Sequence, residues 1–261
     1  FYKRFRKSPT PMTIPISMPQ KPAITIDDLS IQYNTTTVLD SVSCDIPVGQ
    51  WVSIVGPSGC GKSTLLRCVA GLANPTTGMV QLGCKQPAFV FQDPTLLPWR
   101  TVADNIQLPL ELEKQSSGNR SERVLKVAQL VGLEAADIDK YPRELSGGMR
   151  MRVSIARALV MNPNALLLDE PFAALDEILR QQMNQELLHI WQTQQMTVLF
   201  VTHNVSEAIY LSQRVLVLDA NGTMCGDVAI DLPADRVPAI RDTPLFLEKT
   251  AAVTRILQEG L

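Results

Sequence analysis

Short apolar segments alternate with longer amphipathic segments along most of the chain. Residues 51–55, 165–168, 198–201 and 215–218 are apolar runs of the length of one buried strand. The segment 179–191 instead places an apolar residue at every fourth position, as one face of a helix does. Strands that alternate with helices in this way predict an α/β domain with a mainly parallel central sheet. In such sheets, ligands bind at the carboxyl ends of the strands.

The N-terminal part of the chain has a different pattern. Residues 24–26 and 29–33 alternate like half-buried strands, and residues 34–37 have the composition of a turn, so an antiparallel β part is predicted. Residues 1–22 contain five prolines and five lysines or arginines, without the apolar core of a secretory signal. This composition predicts a disordered arm over 1–22, with a membrane-surface anchor as the alternative that so few charges disfavour, and a single folded domain over 23–261.

A second change interrupts the alternation inside the domain. Residues 93–155 contain prolines at first and then polar, helical sequence, which predicts an inserted helical subdomain with a loop at 114–119. The other predicted parts are a core made of 23–92 and 156–227, and a C-terminal extension over 228–261 that ends in an amphipathic helix.

Composition narrows the possible functions. The chain has 24 basic and 26 acidic residues, which disfavours a protein that grips the nucleic-acid backbone. No apolar run approaches the roughly 18 residues that a membrane-spanning helix requires. Five scattered cysteines without a Cys-x-x-Cys pair suggest neither a disulfide framework nor a zinc site, and they fit a reducing compartment.

A glycine-rich segment after the first apolar run carries the strongest chemical signal. It matches the pattern G-x-x-x-x-G-K-[ST], follows a predicted strand and opens an apolar helix expected over 65–72. Glycines let backbone amides surround phosphate oxygens, and the helix N-terminus adds positive potential. Lys62 is expected to neutralise the β- and γ-phosphates, Ser63 to bind Mg²⁺, and Thr64 to contact the α-phosphate. The residues predicted to bind a nucleoside triphosphate here are Gly56, Pro57, Ser58, Gly59, Cys60, Gly61, Lys62, Ser63 and Thr64.

A second chemical signal is a pair of acids at the end of the apolar run 165–168. Because this strand is expected in the same sheet as the phosphate loop, Asp169 and Glu170 are expected at the same sheet edge. Asp169 is the candidate Mg²⁺ residue, acting through water, and Glu170 is the candidate general base for an attacking water. A solvated pair of acids at a strand end is the alternative that the phosphate loop makes unfavourable.

The segment 145–149, Leu-Ser-Gly-Gly-Met, resembles the signature LSGGQ of the ATP-binding-cassette (ABC) ATPases, a family of P-loop NTPases. The resemblance covers residues 23 to about 227, and Met149 replaces the usual glutamine. A serine and two glycines before a helix also form a second anion-binding N-terminus. By resemblance, Ser146, Gly147 and Gly148 cap the γ-phosphate held by a second protomer, in a head-to-tail dimer.

Other roles follow from the resemblance alone. It implies that Gln92 senses Mg²⁺ and the attacking water, that His203 contacts the γ-phosphate, and that Asp176 lies in the loop crossing the dimer interface. It also implies that Tyr33 stacks on adenine, although an isolated Tyr33 or His203 is more often structural. The implied activity is hydrolysis of ATP with Mg²⁺, and the residues assigned to catalysis are Glu170, His203, Lys62 and Gln92.

The segment 93–102 resembles the stretch after this glutamine in bacterial importer cassettes of the nitrate, sulfonate, taurine and bicarbonate group. The resemblance implies a peripheral subunit on the cytoplasmic face of the inner membrane, present in two copies. Its implied partners are permease subunits and, indirectly, a solute-binding protein, without nucleic acid. Leu97 and Trp99 are then either anchors for a permease helix or ordinary packing within the insert. An exporter subunit, a soluble cassette acting in translation or repair, and a regulatory nucleotide-binding module are the alternatives.

Overall fold

The computed structural model describes residues 22–83, 87–113 and 119–260. The predicted arm except Pro22, and the predicted loop except Asn119, lie outside the described residues. The described residues form nine strands: β1 (Ile24–Tyr33), β2 (Thr36–Ile46), β3 (Trp51–Val55), β4 (Thr77–Leu82), β5 (Ala88–Val90), β6 (Ala165–Asp169), β7 (Thr197–Val201), β8 (Arg214–Leu218) and β9 (Met224–Ala229).

The strands form two sheets. A three-stranded antiparallel sheet has the order β2-β1-β4, and a six-stranded sheet has the order β5-β6-β7-β3-β8-β9. In the larger sheet only β9 is antiparallel to its neighbour, so the predicted mainly parallel sheet and N-terminal antiparallel part are both confirmed. Every residue of β3, β6 and β7 is buried, because helices or the smaller sheet cover both faces.

Seven α-helices complete the described residues: α1 (Lys62–Val69), α2 (Val102–Leu112), α3 (Arg120–Leu130), α4 (Gly147–Leu159), α5 (Glu177–Gln194), α6 (Val205–Leu211) and α7 (Pro244–Glu259). Helices α2, α3 and α4 pack against one another in the part of the chain predicted as a helical insert. None of the helices in the described ranges combines the length and hydropathy needed to cross a lipid bilayer.

The larger sheet separates two apolar cores. Alternate residues of its strands point to opposite faces. One face, which includes Val52 and Ile54, packs with α1 and the antiparallel sheet. The other face, which includes Trp51 and Val55, packs against the remaining helices. This two-sided packing fixes the strand ends, and with them the loops that follow β3, β6 and β7.

Three element boundaries differ from the sequence pattern. The turn predicted over 34–37 is shorter, because Thr36 and Thr37 pair with Tyr33 and Gln32 as the first residues of β2. The helix expected over 65–72 runs from Lys62 to Val69, and Gly71 has a positive φ of 70° just beyond its end. The final amphipathic helix, whose apolar pattern predicts about Phe246 to Leu257, begins at Pro244 and ends at Glu259.

Candidate active site

The glycine-rich phosphate loop connects β3 to α1 at the carboxyl edge of the larger sheet. Gly61 has a φ of 98°, and a Cβ there would lie 2.7 Å from the carbonyl oxygen of Val38. A Cβ on Gly56 would lie 2.7 Å from the carbonyl oxygen of Leu218. Both positions therefore require glycine. No described side chain caps the N-terminus of α1, so its first amide groups are left to bind an anionic ligand.

Lys62 folds back over this loop. Its Nζ donates hydrogen bonds to the carbonyl oxygens of Gly56 at 3.0 Å and Pro57 at 2.7 Å, and the residue is 4% exposed. The ammonium group therefore lies against the loop, at the place where phosphates held by the loop would meet it. The thiol of Cys60 is buried nearby, and burial raises its pKa, so it acts as a neutral packing group.

Ser63 and Asp169 meet although 105 residues lie between them in the sequence. The Oγ of Ser63 donates to Oδ1 of Asp169 at 2.6 Å, which joins the start of α1 to the end of β6. Burial raises the pKa of Asp169, against the lowering effect of the Ser63 hydrogen bond. A hydroxyl and a carboxylate are hard oxygen ligands of the kind that Mg²⁺ prefers. These two residues therefore fit a magnesium ion.

Glu170 and His203 form a second pair directly beside the first. The Nδ1 of His203 lies 2.9 Å from Oε2 of Glu170. Glu170 has a positive φ of 43°, and its amide donates to the carbonyl oxygen of Val201 in β7 at 3.0 Å. This backbone conformation, uncommon for a residue with a side chain, turns the carboxylate towards the histidine at the end of the next strand. The sequence predicted both residues but not their direct contact.

The remaining predicted residues lie on separate elements. Ser146 is the N-cap of α4, where its Oγ accepts from the amide of Met149 at 3.3 Å. Asp176 caps α5 in the same way, accepting from the amide of Leu179 at 3.0 Å. Gln92 and Tyr33 are exposed, at the ends of β5 and β1. In the described part of the chain, no hydrogen bond joins the side chains of these residues to the phosphate loop.

Arg157, which the sequence analysis missed, holds the segment that follows Gln92. Its guanidinium donates to the carbonyl oxygen of Pro94 at 2.8 Å and to that of Thr95 at 3.0 Å. It also donates to Oγ1 of Thr95 at 3.1 Å. Since Arg157 belongs to α4, the glutamine segment and the signature helix are mechanically joined. The only sequence signal was one arginine among the buried apolar residues at the end of that helix.

A groove of about 870 Å³ lies between this segment, α2 and the end of α4. Its walls include Leu97 and Leu112, and Leu112 is 74% exposed. Trp99, which is 71% exposed, belongs to the same segment as Leu97. Ordinary packing within the insert is therefore the wrong description for Trp99.

Known proteins are similar to this chain in sequence and in fold. A family model described as ABC transporter matches residues 39–173. An uncharacterised ABC transporter ATP-binding protein of Methanocaldococcus jannaschii is 44% identical, over 87% of this chain and 86% of its own length. An aliphatic sulfonates import ATP-binding protein of Mesorhizobium japonicum is 41% identical, over 92% of this chain and 88% of its own.

A solved structure of a similar protein contains bound ADP and phosphate. It is a dimeric, post-hydrolysis state of an ATP-binding cassette bound to ADP and phosphate, and it has a TM-score of 0.72 at 30% identity. The match covers 80% of this chain and all of that one. With the phosphate loop, the two acids and the histidine at one sheet edge, these likenesses show that the chain belongs to the ABC transporter family as an ATP-binding, ATP-hydrolysing cassette.

Proposed function

We propose that this chain is the cytoplasmic ATPase subunit of a bacterial importer for a small anionic solute of the nitrate, sulfonate, taurine or bicarbonate type. The observation that carries the catalytic part is the contact of Ser63 with Asp169 beside that of Glu170 with His203, at the edge that holds the phosphate loop. The names of relatives that serve aliphatic sulfonate import support the transport part.

The phosphate loop binds ATP through its amides and through Lys62. On binding, the Nζ of Lys62 exchanges its contacts with the carbonyl oxygens of Gly56 and Pro57 for the β- and γ-phosphates. Tyr33 stacks on the adenine. Ser63, Asp169 through water, and Gln92 would hold a magnesium ion, which would supply positive charge to offset that of the β- and γ-phosphates.

Hydrolysis is an in-line transfer of the γ-phosphoryl group to water. Glu170 orients the water and accepts its proton as the new oxygen–phosphorus bond forms and the bond to the β-phosphate oxygen breaks. His203 holds the carboxylate of Glu170 in place and contacts the γ-phosphate. Lys62 stabilises the charge that moves to the ADP oxygen.

A second copy completes the site. Ser146, Gly147 and Gly148 lie on α4, at a helix N-terminus that presents amides to an anion. In a head-to-tail homodimer, this N-terminus of each protomer caps the γ-phosphate bound by the other, and the loop with Asp176 crosses between them. ATP binding therefore closes the dimer, and hydrolysis releases it.

The groove beside α2 is the surface at which this ATPase subunit contacts a permease. Leu97 and Leu112 line this groove, and the exposed Trp99 lies two residues from Leu97, so these side chains are the apolar anchors for one short helix. A permease helix seated there contacts the segment that Arg157 ties to the signature helix, so it moves with the dimer interface. The chain is then a peripheral subunit on the cytoplasmic face of the membrane. Its helical insert, 93–155, contacts the permease, and its core binds the nucleotide. A solute-binding protein acts on the permease and not on this chain.

The test is affinity purification of a tagged Glu170→Gln variant from solubilised cells in the presence of ATP. Loss of the base traps the closed dimer, so a multi-span permease is expected to co-purify. Lys62→Ala is the matched control, because it removes the ammonium from the phosphate site and should recover much less permease. Co-purification of ribosomal or DNA-repair proteins instead of a permease would overturn the importer function, while the ATPase activity would still stand.

A further inference from the structure

Glu207 contacts the residues on both sides of His203, Thr202 through its buried carboxyl group and Asn204 through its backbone amide. The Oγ1 of Thr202 donates to Oε2 of Glu207 at 2.5 Å. The amide of Asn204 donates to the same Oγ1 at 3.0 Å, and the amide of Glu207 donates to Oδ1 of Asn204 at 3.1 Å. These three hydrogen bonds enclose the backbone that carries the imidazole.

This arrangement departs from an ordinary helix start. Asn204 is the N-cap of α6 and Glu207 is its third residue, the positions of a capping box. In a capping box, the glutamate side chain would accept from the backbone amide of the N-cap residue. Here Thr202 accepts from that amide, and the carboxyl group of Glu207 turns to Thr202 instead. The glutamate therefore holds the strand end before His203 and is not merely capping α6.

The carboxyl group is also tied to the helix behind the dimer-interface loop. Glu207 is 5% exposed, and the side chain of Asn184 on α5, which is 1% exposed, lies within hydrogen-bonding range of it. Among the described residues, Oε1 of Glu207 and Oδ1 of Asn184 have no hydrogen-bond partner.

Burial of Glu207 and its polar neighbours shift the pKa of the carboxyl group in opposite directions. Burial raises the pKa of Glu207, against the hydrogen bonds from Thr202 and Asn184 and the nearby charges of Arg180 and His203. Asp176 is the N-cap of α5, so the contact with Asn184 links the proposed interface loop of the dimer to the turn that carries His203.

We propose that Glu207 is a positioning residue for hydrolysis. Through Thr202 it fixes the turn that presents His203 to Glu170, and through Asn184 it sets that turn against α5. The inference rests on the proposed role of His203 at the γ-phosphate. It assigns to Glu207 no contact with the nucleotide.

The test uses the full chain and compares Glu207→Ala, Glu207→Gln and Thr202→Val. The alanine and valine variants break the contact of residue 202 with residue 207, and kcat is expected to fall about tenfold with KM for ATP unchanged within about twofold. Glu207→Gln keeps an acceptor for Thr202 and gains a donor for Asn184. It is expected to stay within about threefold of the parent kcat.

A double-mutant cycle separates positioning from mere stability. In a His203→Ala background, Thr202→Val should have no further effect on the residual rate, because the group it positions is gone. Melting temperatures show whether each variant is folded, and Thr202→Val keeps the test open if Glu207→Ala fails to fold. A folded Thr202→Val with the parent kcat, or an equal loss in both backgrounds, would overturn the inference. Unchanged hydrolysis in His203→Ala alone would instead contradict the proposed function.

Discussion

The phosphate loop and the signature segment are both glycine-containing turns that open a helix, but their surroundings differ. At Gly61 a Cβ would lie 2.7 Å from a backbone carbonyl, with φ at 98°. At Gly147 a Cβ would meet no described atom within 4 Å. The N-terminus of α1 has no side-chain cap, whereas Ser146 caps α4. The first turn is enclosed by its own domain, whereas Gly147 in the second turn faces open space.

This difference identifies which half of the site one chain completes alone. Around the phosphate loop, Lys62 is hydrogen-bonded to the loop carbonyls, and Ser63 is hydrogen-bonded to Asp169. Lys62 and Asp169 are also buried. Such preorganisation lets a single protomer bind nucleotide.

Among the described residues, Ser146 makes its side-chain hydrogen bond within its own helix start, and Gly147 meets no local structural requirement. Gly148 differs, because a Cβ there would lie 2.7 Å from Cδ2 of Leu179. A use for Gly147 must then come from a group that the protomer itself does not supply.

The largest effect is expected from Gly61→Ala. The new Cβ would clash with the carbonyl oxygen of Val38 and force a left-handed backbone, which costs roughly 2–4 kcal/mol. We expect a lower melting temperature and a loss of at least about tenfold in ATP affinity, since the amides of α1 would be displaced. Thermal unfolding and nucleotide titration of the purified chain measure both. An unchanged affinity would show that the loop does not need its observed path.

The matched substitution in the other half, Gly147→Ala, should separate stability from activity. With no atom near the Cβ, alanine in the first turn of α4 should raise stability by up to about 1 kcal/mol. ATP affinity of the protomer should stay the same. Hydrolysis and ATP-dependent dimerisation should fall at least about tenfold, because the added methyl group occupies the face proposed to cap the partner's phosphate.

Light scattering with and without ATP measures the loss of dimerisation in Gly147→Ala, and a phosphate-release assay measures the loss of hydrolysis. Parent-like hydrolysis by Gly147→Ala would remove the dimer interface from this face. The Gly61→Ala variant then serves as the reference for damage that begins at nucleotide binding.

The same contrast explains how far the sequence predicted the structure. The phosphate loop, Asp169 and Glu170 were predictable, because a motif of fixed spacing and two short, mainly apolar strands each carry a local signal. The pairing of Glu170 with His203 depends on β6 and β7 being neighbours, and no local pattern encodes that order. The predicted bounds of the first helix, 65–72, were wrong at both ends. Helix α1 begins at Lys62, directly after Gly61, and ends at Val69, before Gly71.

Contacts between distant elements were missed entirely. Arg157 and the segment at Pro94 are 63 residues apart, and a lone arginine in an apolar helix has several equally plausible partners from sequence. Glu207 fits the capping-box spacing, so its sequence position suggests a local role that the structure contradicts. Side chains that join elements are thus the part of the site that only the fold reveals.

The smallest effect concerns an ion pair in the wall beside the signature segment. Nζ of Lys140 lies 2.7 Å from Oδ1 of Asp137, and both residues border the cavity that also includes Ser146. The Lys140 hydrogen bond and the amide of Glu134 hold the pKa of Asp137 below its usual value. A lowered folded-state pKa means that the stabilisation is complete above the ordinary aspartate pKa of about 4. It is lost as pH falls through the lowered value.

We therefore expect Asp137→Asn to lower the melting temperature at pH 7 by less than about 2 °C, since the ion pair is open to solvent at Lys140 and is therefore weak. The gap to the parent should narrow as pH falls from 5 towards about 3, where the parent loses the same contact. Lys140→Gln is the control, because it removes the ion pair but keeps the amide contact of Glu134 to Asp137. Asp137→Asn should leave the ATP affinity of the protomer unchanged, because Asp137 is on the signature side. A loss of affinity would mean that the two halves are coupled within one chain, and the division between them would not hold.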